Sequence, residues 1–437
     1  MCPIEYSSPE KVVDAIKSDT NIVLANLCAE PHLFPALLMD RAHDLSNVKL
    51  FHMRPCGSFV ERYLEPGMEE HVRCATAFTG GVKALIRLIK EGRADFYPIP
   101  LSKAPWLLKS GRFRPDIFAA TVSPPDKEGN CSLGVSVDYG RAAFETASVV
   151  IAEVNPNMPR TFGDTEIHVD QIDYFIESQE PIYELPPPNI TRLEEQLAEN
   201  VVSLVQDEAT IQIGFGAISE SIVPFLHEKK NLGLHSEMLP ESAMSLIDSG
   251  VITGGCKTLR QGKAVSAFAA GTKRLYQWLH ENQKVELGPF DYTNDPRIIA
   301  TNHKMTSITT ALQVDLYGNI YSDMLGFDQY SGAGGQPDFV AGSQLCPDGT
   351  SIIVLPSTAV AGKVSRIVAH PSFSSNPQAP AIPTISRFHA DYVVTEMGIA
   401  SLKGKTIKER ARALLEITHP DFVDDISKQA RHLNLPL

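Results

Sequence analysis

Residues 210–219 read TIQIGFGAIS, a short apolar run that breaks into Gly214 and Gly216 before a helical segment begins. A strand that turns this sharply into a helix is the building unit of a parallel sheet covered by helices. The stretch has an echo at residues 21–30, NIVLANLCAE, another apolar run that breaks into small residues, without the glycines. Two further pairs follow in the same order: FTGGVKAL (78–85) returns as ITGGCKTL (252–259), and DKEGN (126–130) returns as DLYGN (315–319). Ordered recurrence of this kind predicts a degenerate duplication with loops of different length in the two copies. Within each copy β-branched runs such as SVVIAEVN (148–155), SIIVLPS (351–357) and ADYVVTEMG (390–398) alternate with helical segments such as GVKALIRLIKEG (81–92) and TIKERARALLEI (406–417). The expected fold class is therefore α/β: two related domains, each a mostly parallel sheet flanked by helices, with ligands beyond the carboxyl ends of the strands.

The boundary between the copies is set by Pro186, Pro187 and Pro188, which can neither continue a helix nor pair in a central strand. Thr191 and Glu194 then have capping-box spacing, and Leu193, Leu197 and Val201 recur every four residues, so an amphipathic helix opens the second copy. The expected domains are 1–188 and 189–437. With 437 residues, 43% hydrophobic and 21% charged, the composition is that of an ordinary globular chain. No stretch approaches the roughly 20 apolar residues of a spanning helix, and the first residues lack the apolar core of a secretory signal, so a cytoplasmic location is expected. Seven scattered cysteines (2, 28, 56, 74, 131, 256, 346) without a CxxC pair suit reduced thiols and no structural metal. A formal charge of −13 argues against nucleic acid and anionic membranes as partners, because counterion release from either needs clustered Lys and Arg on the protein. A small anionic ligand remains compatible if it is held locally.

Three stretches can carry chemistry. In NLGLHSEMLPES (231–242) an apolar strand is expected to end at Glu237, with a helix led by Pro240 and stopped by Gly250. Glu237 is then either a functional carboxylate at a strand tip or an acid that complements a helix dipole. In YSGAGGQPDF (330–339) three glycines within four positions let the backbone approach a ligand and aim N–H groups at negative charge, although a plain flexible loop explains them too. In IQIGFGAISES (211–221) Gly214 and Gly216 form either a tight turn or a small-residue floor for a ligand. Neither GxGxxG, Walker A, HExxH, HxH nor GxSxG occurs, which removes the signatures of dinucleotide, ATP, metalloprotease and serine-hydrolase sites. In GKVSRIV (362–368) Arg366 reads as a solvated charge on a strand edge, and HVDQIDYF (168–175) as a half-exposed element.

Taken in order, PRTFGDTEIHVDQIDYFIE (159–177), GLHSEM (233–238), TGGCKTL (253–259), SGAGGQPDFVAGS (331–343) and VVTEMGIASLKGKTIKERA (393–411) resemble the acetyl-CoA hydrolase/transferase family, most closely its 4-hydroxybutyrate and butyrate:acetate CoA-transferase branch. The resemblance implies two α/β domains with the active site in the cleft between them and Glu237 as nucleophile. It implies that Asn294 and the N–H of Gly335 contact the reacting carbonyl or carboxylate, and that Glu396 lines the site. Gly214, Gly216, Gly334 and Gln336 are the further residues expected to contact substrate or CoA. No metal and no cofactor is expected, coenzyme A being a substrate; the partners are an acyl-CoA and a carboxylic acid, and a homo-oligomer, by preference a dimer, is expected. The chain departs from its relatives with Pro240-Glu241 where an Asp is common, with Thr309 where Asn is common, and with ISES at 218–221. These changes bear on the acceptor acid more than on the reaction class.

The implied chemistry is a ping-pong exchange. A glutamate carboxylate attacks the thioester and expels CoA thiolate, the thiolate attacks the resulting anhydride at the glutamyl carbonyl, and a glutamyl-CoA thioester keeps the bond energy for the acceptor acid. Aligning Leu50 with Leu234 places Met53 opposite Glu237, so one catalytic centre per chain is expected. The competing readings are an acyl-CoA hydrolase, in which water takes the acceptor's place, and a non-catalytic acyl-CoA sensor.

Overall fold

The computed structural model describes residues 4–214, 216–371 and 382–437. The chain divides into two compact units, residues 1–186 with 265–293, and residues 187–264 with 294–437. The division falls inside the Pro186–Pro188 run, and a stretch of the second half returns to the first unit. There Ala269 donates its N–H to Val135 O at 2.8 Å and Val137 to Ala267 O at 3.0 Å.

In the first unit seven strands form one sheet: β1 (Asn21–Leu24), β2 (Val48–Phe51), β3 (Val72–Thr76), β4 (Asp95–Phe96), β5 (Ile117–Val122), β6 (Val149–Val154) and β7 (Tyr174–Glu177). Their spatial order is β7-β6-β5-β1-β2-β3-β4, and every pairing is parallel. β5 is buried along its whole length, as expected of a central strand covered on both faces. Ile22, Leu24, Leu50, Phe34, Leu38 and Leu85 meet in the core beside it.

The second unit contains β8 (Thr210–Ile213), β9 (Gly233–Pro240), β10 (Thr306–Thr310), β11 (Thr350–Val354), β12 (Tyr392–Thr395) and β13 (Gly398–Ser401). Here β12-β11-β10-β8-β9 runs parallel, and β13 turns back antiparallel along β12. The order repeats β7-β6-β5-β1-β2 of the first unit strand for strand. The registers repeat as well: Ile22 faces Leu50 in one unit and Ile211 faces Leu234 in the other. The DxxGN turns also share their bonding. Asp126 Oδ1 accepts the N–H groups of Glu128 and Asn130, both at 2.9 Å, and Asp315 Oδ1 accepts those of Tyr317 and Asn319 at 3.0 and 2.9 Å. Gly129 and Gly318 hold φ of 88° and 92° in these turns, a conformation that favours glycine.

The helix expected after the prolines is Arg192–Leu204, with Thr191 and Glu194 forming the capping box and Leu197 and Val201 buried. The helix Ile407–Glu416 has its own box in Thr406 and Glu409. One boundary differs from expectation. β9 does not stop at Glu237 but continues through Met238 and Leu239 to Pro240, and the next helix is Ala243–Asp248. Two more apolar residues extend the strand, and a proline is tolerated at its last position, where its ring ends the pairing instead of opening a helix. Gly250, with φ of 78°, does close that helix.

Among the described residues no helix is long and apolar enough to cross a membrane, and no group of three His, Cys, Asp or Glu residues could hold a metal ion. Cys28, Cys56, Cys74, Cys131, Cys256 and Cys346 are free, and Cys2 lies outside the described residues.

Candidate active site

β9 outruns its neighbour. Its pairing with β8 covers Gly233 and Leu234, and Ser236 adds a side-chain clamp, its hydroxyl donating to Ile213 O at 3.0 Å. Beyond that clamp Glu237 is the one partly exposed residue in a strand whose other seven positions are buried. His235 and Ser236 point into protein, with the His235 ring 6.4 Å from that of Phe339. Beneath the strand Lys257, of the repeated TGG segment, donates from Nζ to Leu234 O at 2.9 Å and Lys263 O at 3.0 Å and is 3% exposed. Lys83, at the matching place in the first unit, is exposed. A buried ammonium is tolerable only when its donors are used, and here they fix the strand that carries Glu237.

Asn294 and Gly335 converge on the carboxylate. Asn294 is fully buried and donates from Nδ2 to Glu237 Oε2 at 3.1 Å. It immediately precedes Asp295, which caps the short helix Pro296–Ile299. Gly335 is the N-cap of the ten-residue helix Gln336–Leu345. Its φ of −85° suits any residue, so space alone demands glycine: a Cβ here would collide with Glu237 Oε2 and lie 2.6 Å from Asn294 Nδ2. Gly342 acts one step further back, since a Cβ there would lie 2.6 Å from Ile299 Cβ. Its absence lets the two helices pack closely enough for Asn294 and Gly335 to share one carboxylate. The first N–H groups of a helix lack intrahelical partners and carry its positive dipole end, so the Gln336–Leu345 terminus favours negative charge beside Glu237.

The other expected residues take several places. Gly334, at φ 62°, supplies the bend into the cap. Gln336 faces β10 and donates from Nε2 to Thr309 Oγ1 and Thr310 O, both at 3.0 Å, which ties the helix to the sheet. Thr309, one of the departures from the family pattern, is thus an acceptor for Gln336. Gly214 lies against Ser219 Oγ and Ile308 O, where an added Cβ would come within 3.0 and 3.3 Å. Gly216, at φ 105° with open space around it, caps the helix Ala217–Phe225. Glu220 of that helix is nearly buried, and the loss of water raises its carboxyl pKa. Glu396 follows β12 and is gripped by Ser357, whose N–H donates to Oε2 at 2.8 Å and whose hydroxyl donates to Oε1.

Arg366 is not the solvated edge charge expected. Its Nη1 donates to Ala311 O at 3.3 Å and Leu312 O at 3.2 Å, and its Nε to Thr358 O at 3.3 Å. The carbonyls at the corner after β10 need donors once the ladder ends, and the guanidinium supplies them. Lys257 and Ser357 lie in segments whose repeat and strand patterns carry no sign of these side chains' roles, although the TGGCKTL recurrence includes Lys257.

Residues 4–185 match the acetyl-CoA hydrolase/transferase N-terminal domain and residues 271–430 its C-terminal domain. The chain belongs to the acetyl-CoA hydrolase/transferase family. Among members of this family, the 4-hydroxybutyrate coenzyme A transferase of Clostridium kluyveri is 43% identical over 96% of both chains. The butyryl-CoA:acetate CoA-transferase of Anaerostipes caccae is 36% identical over 98% of this chain and 95% of its own. The crystal structure of 4-hydroxybutyrate CoA-transferase from Porphyromonas gingivalis superposes with a TM-score of 0.82 at 34% identity, covering 98% of this chain and 97% of that one.

Proposed function

We propose that this member of the acetyl-CoA hydrolase/transferase family moves CoA between a short-chain acyl-CoA and a free carboxylic acid of the 4-hydroxybutyrate, butyrate or acetate class, with Glu237 as the covalent carrier. The supporting observation is the contact of Glu237 Oε2 with Asn294 Nδ2 at 3.1 Å, at a helix N-cap where Gly335 leaves no room for a side chain. The carboxylate accepts from one amide and lies against one helix end while its strand emerges from a buried flank. That is the setting for a nucleophile whose attack product is an oxyanion.

The steps balance without an outside reagent. Glu237 attacks the thioester carbonyl, and the C–S bond breaks as CoA thiolate leaves, giving an acyl-glutamyl anhydride. The thiolate then attacks the glutamyl carbonyl, the acyl carboxylate departs, and a glutamyl-CoA thioester remains. The acceptor carboxylate runs the same two steps in reverse. Each addition places negative charge on oxygen beside Asn294 Nδ2 and the Gln336–Leu345 terminus, donors already fixed before the reaction begins. Transfer through a carboxylate keeps the thioester that attack by water would forfeit.

Incubating the protein with acyl-CoA alone and trapping with borohydride or hydroxylamine should modify Glu237, as read by peptide mass spectrometry. An active preparation without modification at that residue overturns the covalent assignment. Free CoA released at the same rate with and without acceptor acid would overturn transfer in favour of hydrolysis.

A further inference from the structure

The corner after β10 links two parts of the site through one side chain. Gln336, next to the Gly335 cap, holds Thr310 O at 3.0 Å. The next two carbonyls, of Ala311 and Leu312, are held by Arg366 Nη1, and the Arg366 N–H donates to Ser357 O at 2.9 Å. Ser357 in turn grips Glu396. Arg366 therefore stands in the hydrogen-bond chain between the glycine-rich cap and Glu396, and the Glu396 carboxylate acts on it through space in the direction that favours its charged form. Burial lowers its pKa, but from so high a starting value that the guanidinium stays charged.

Its bonding leaves that charge unspent. All three bonds that its side chain donates to described residues, from Nε and Nη1, end on neutral main-chain carbonyls, and none of them uses Nη2. Carbonyls satisfy donors without cancelling a positive charge, so this cation has no bonded counter-ion within the described residues. The acceptor acid arrives as an anion at a protein of formal charge −13, and the proposed nucleophile is itself a carboxylate, Glu237. A fixed positive charge whose Nη2 spends no hydrogen bond on described residues can meet such an acid, both to offset the field and to orient its oxygens.

We propose that Arg366 is a specificity-determining residue for the acceptor: its Nη2 edge takes a carboxylate oxygen of the incoming acid. This rests on the CoA-transfer reading above. The test compares the unsubstituted protein with Arg366→Lys, Arg366→Met and Arg366→Gln. Three quantities are measured: KM for the acceptor acid, KM for the acyl-CoA, and the rate at which hydroxylamine, a neutral nucleophile, captures the glutamyl thioester at Glu237. Both neutral variants should raise the acid KM about tenfold or more, as expected for loss of one charge in a partly desolvated site. Arg366→Lys should recover part of the loss. The acyl-CoA KM and hydroxylamine capture should stay within about twofold.

A merely structural role would slow hydroxylamine capture in all three variants alike, which overturns the proposal. A rise in acyl-CoA KM in place of acid KM assigns the cation to CoA and overturns it as well. If one neutral variant fails to fold, the other neutral variant and Arg366→Lys still decide. Failure of the unsubstituted protein to give a trapped glutamyl adduct strikes the covalent reading alone, since the acid KM is read from thioester exchange without reference to an intermediate.

Discussion

β2 and β9 occupy the same place in two sheets of the same strand order, and their registers align Leu50 with Leu234. Three residues further along, one strand leads to Met53, 2% exposed, and the other to Glu237, the one position of its strand that is not buried. The surroundings differ to match. Next to Met53, His52 is fully enclosed, its ring nitrogens 3.1 Å from Met53 O and 3.1 Å from Tyr63 Oη. Carboxylates of the first unit are used as internal fasteners: Glu153 accepts the N–H groups of His32, Leu33 and Phe34 at 2.7 to 2.9 Å, and Glu30 that of Gly57 at 2.6 Å. Glu237 instead has an amide donating to one oxygen with a helix end close beside it, and its strand has run past its pairing with β8. The same backbone corner serves cohesion in one unit and chemistry in the other, and the choice is made by whether the third residue meets a filled core or an empty space kept by a glycine.

The comparison predicts where substitutions should be felt. Glu237→Gln should cost roughly 10³-fold or more in turnover with little change in melting temperature, because it removes the attacking group and no core contact. A melting temperature that falls as far as the activity would place Glu237 among the structural acids of the first unit. Gly335→Ala and Asn294→Ala should each lower kcat by roughly 10²-fold or more, one by displacing the carboxylate and the other by removing an oxyanion donor. Wild-type rates in Gly335→Ala would show that the crowding at the cap is tolerated. Met53→Ala should reverse the pattern, costing about 2–5 kcal/mol in denaturant unfolding with the trapping of Glu237 unaffected.

The smallest effect is one of pH. Burial lowers the His52 pKa from 6.5 to about 4. The unfolded chain therefore binds a proton below pH 6.5 that the folded unit refuses until about pH 4, and stability present above pH 6.5 is lost on acidification at up to about 1.4 kcal/mol per pH unit. His52→Gln should flatten that part of the unfolding profile, and an unchanged slope would remove His52 as its cause.

Much of this was legible in the chain. Apolar runs located β6, β11 and β12, and the prolines with the Thr191–Glu194 box located the start of the helix Arg192–Leu204. The DxxGN recurrence foresaw two turns with the same hydrogen bonds, since an Asp that accepts from residues two and four positions on is a local device that sequence carries whole. What failed or stayed silent was non-local. The end of β9 was misplaced because Pro240 fits both a helix start and a strand end, and only the packing of Met238 and Leu239 decides. Arg366 was misread because no pattern shows which carbonyls a distant corner leaves without donors. The approach of Asn294 to a residue 57 positions away came through family resemblance, and periodicity could not have found it.

The empty space at Gly335 also has a meaning for descent. Every missense change at that codon adds at least a Cβ to the α-carbon, and the smallest addition already strikes Glu237 Oε2. Met53 can wander among leucine, isoleucine and other apolar residues through small losses that later changes restore. At position 335 even the smallest step moves the Glu237 carboxylate from its place, so a change there is felt first in the reaction and not in the core.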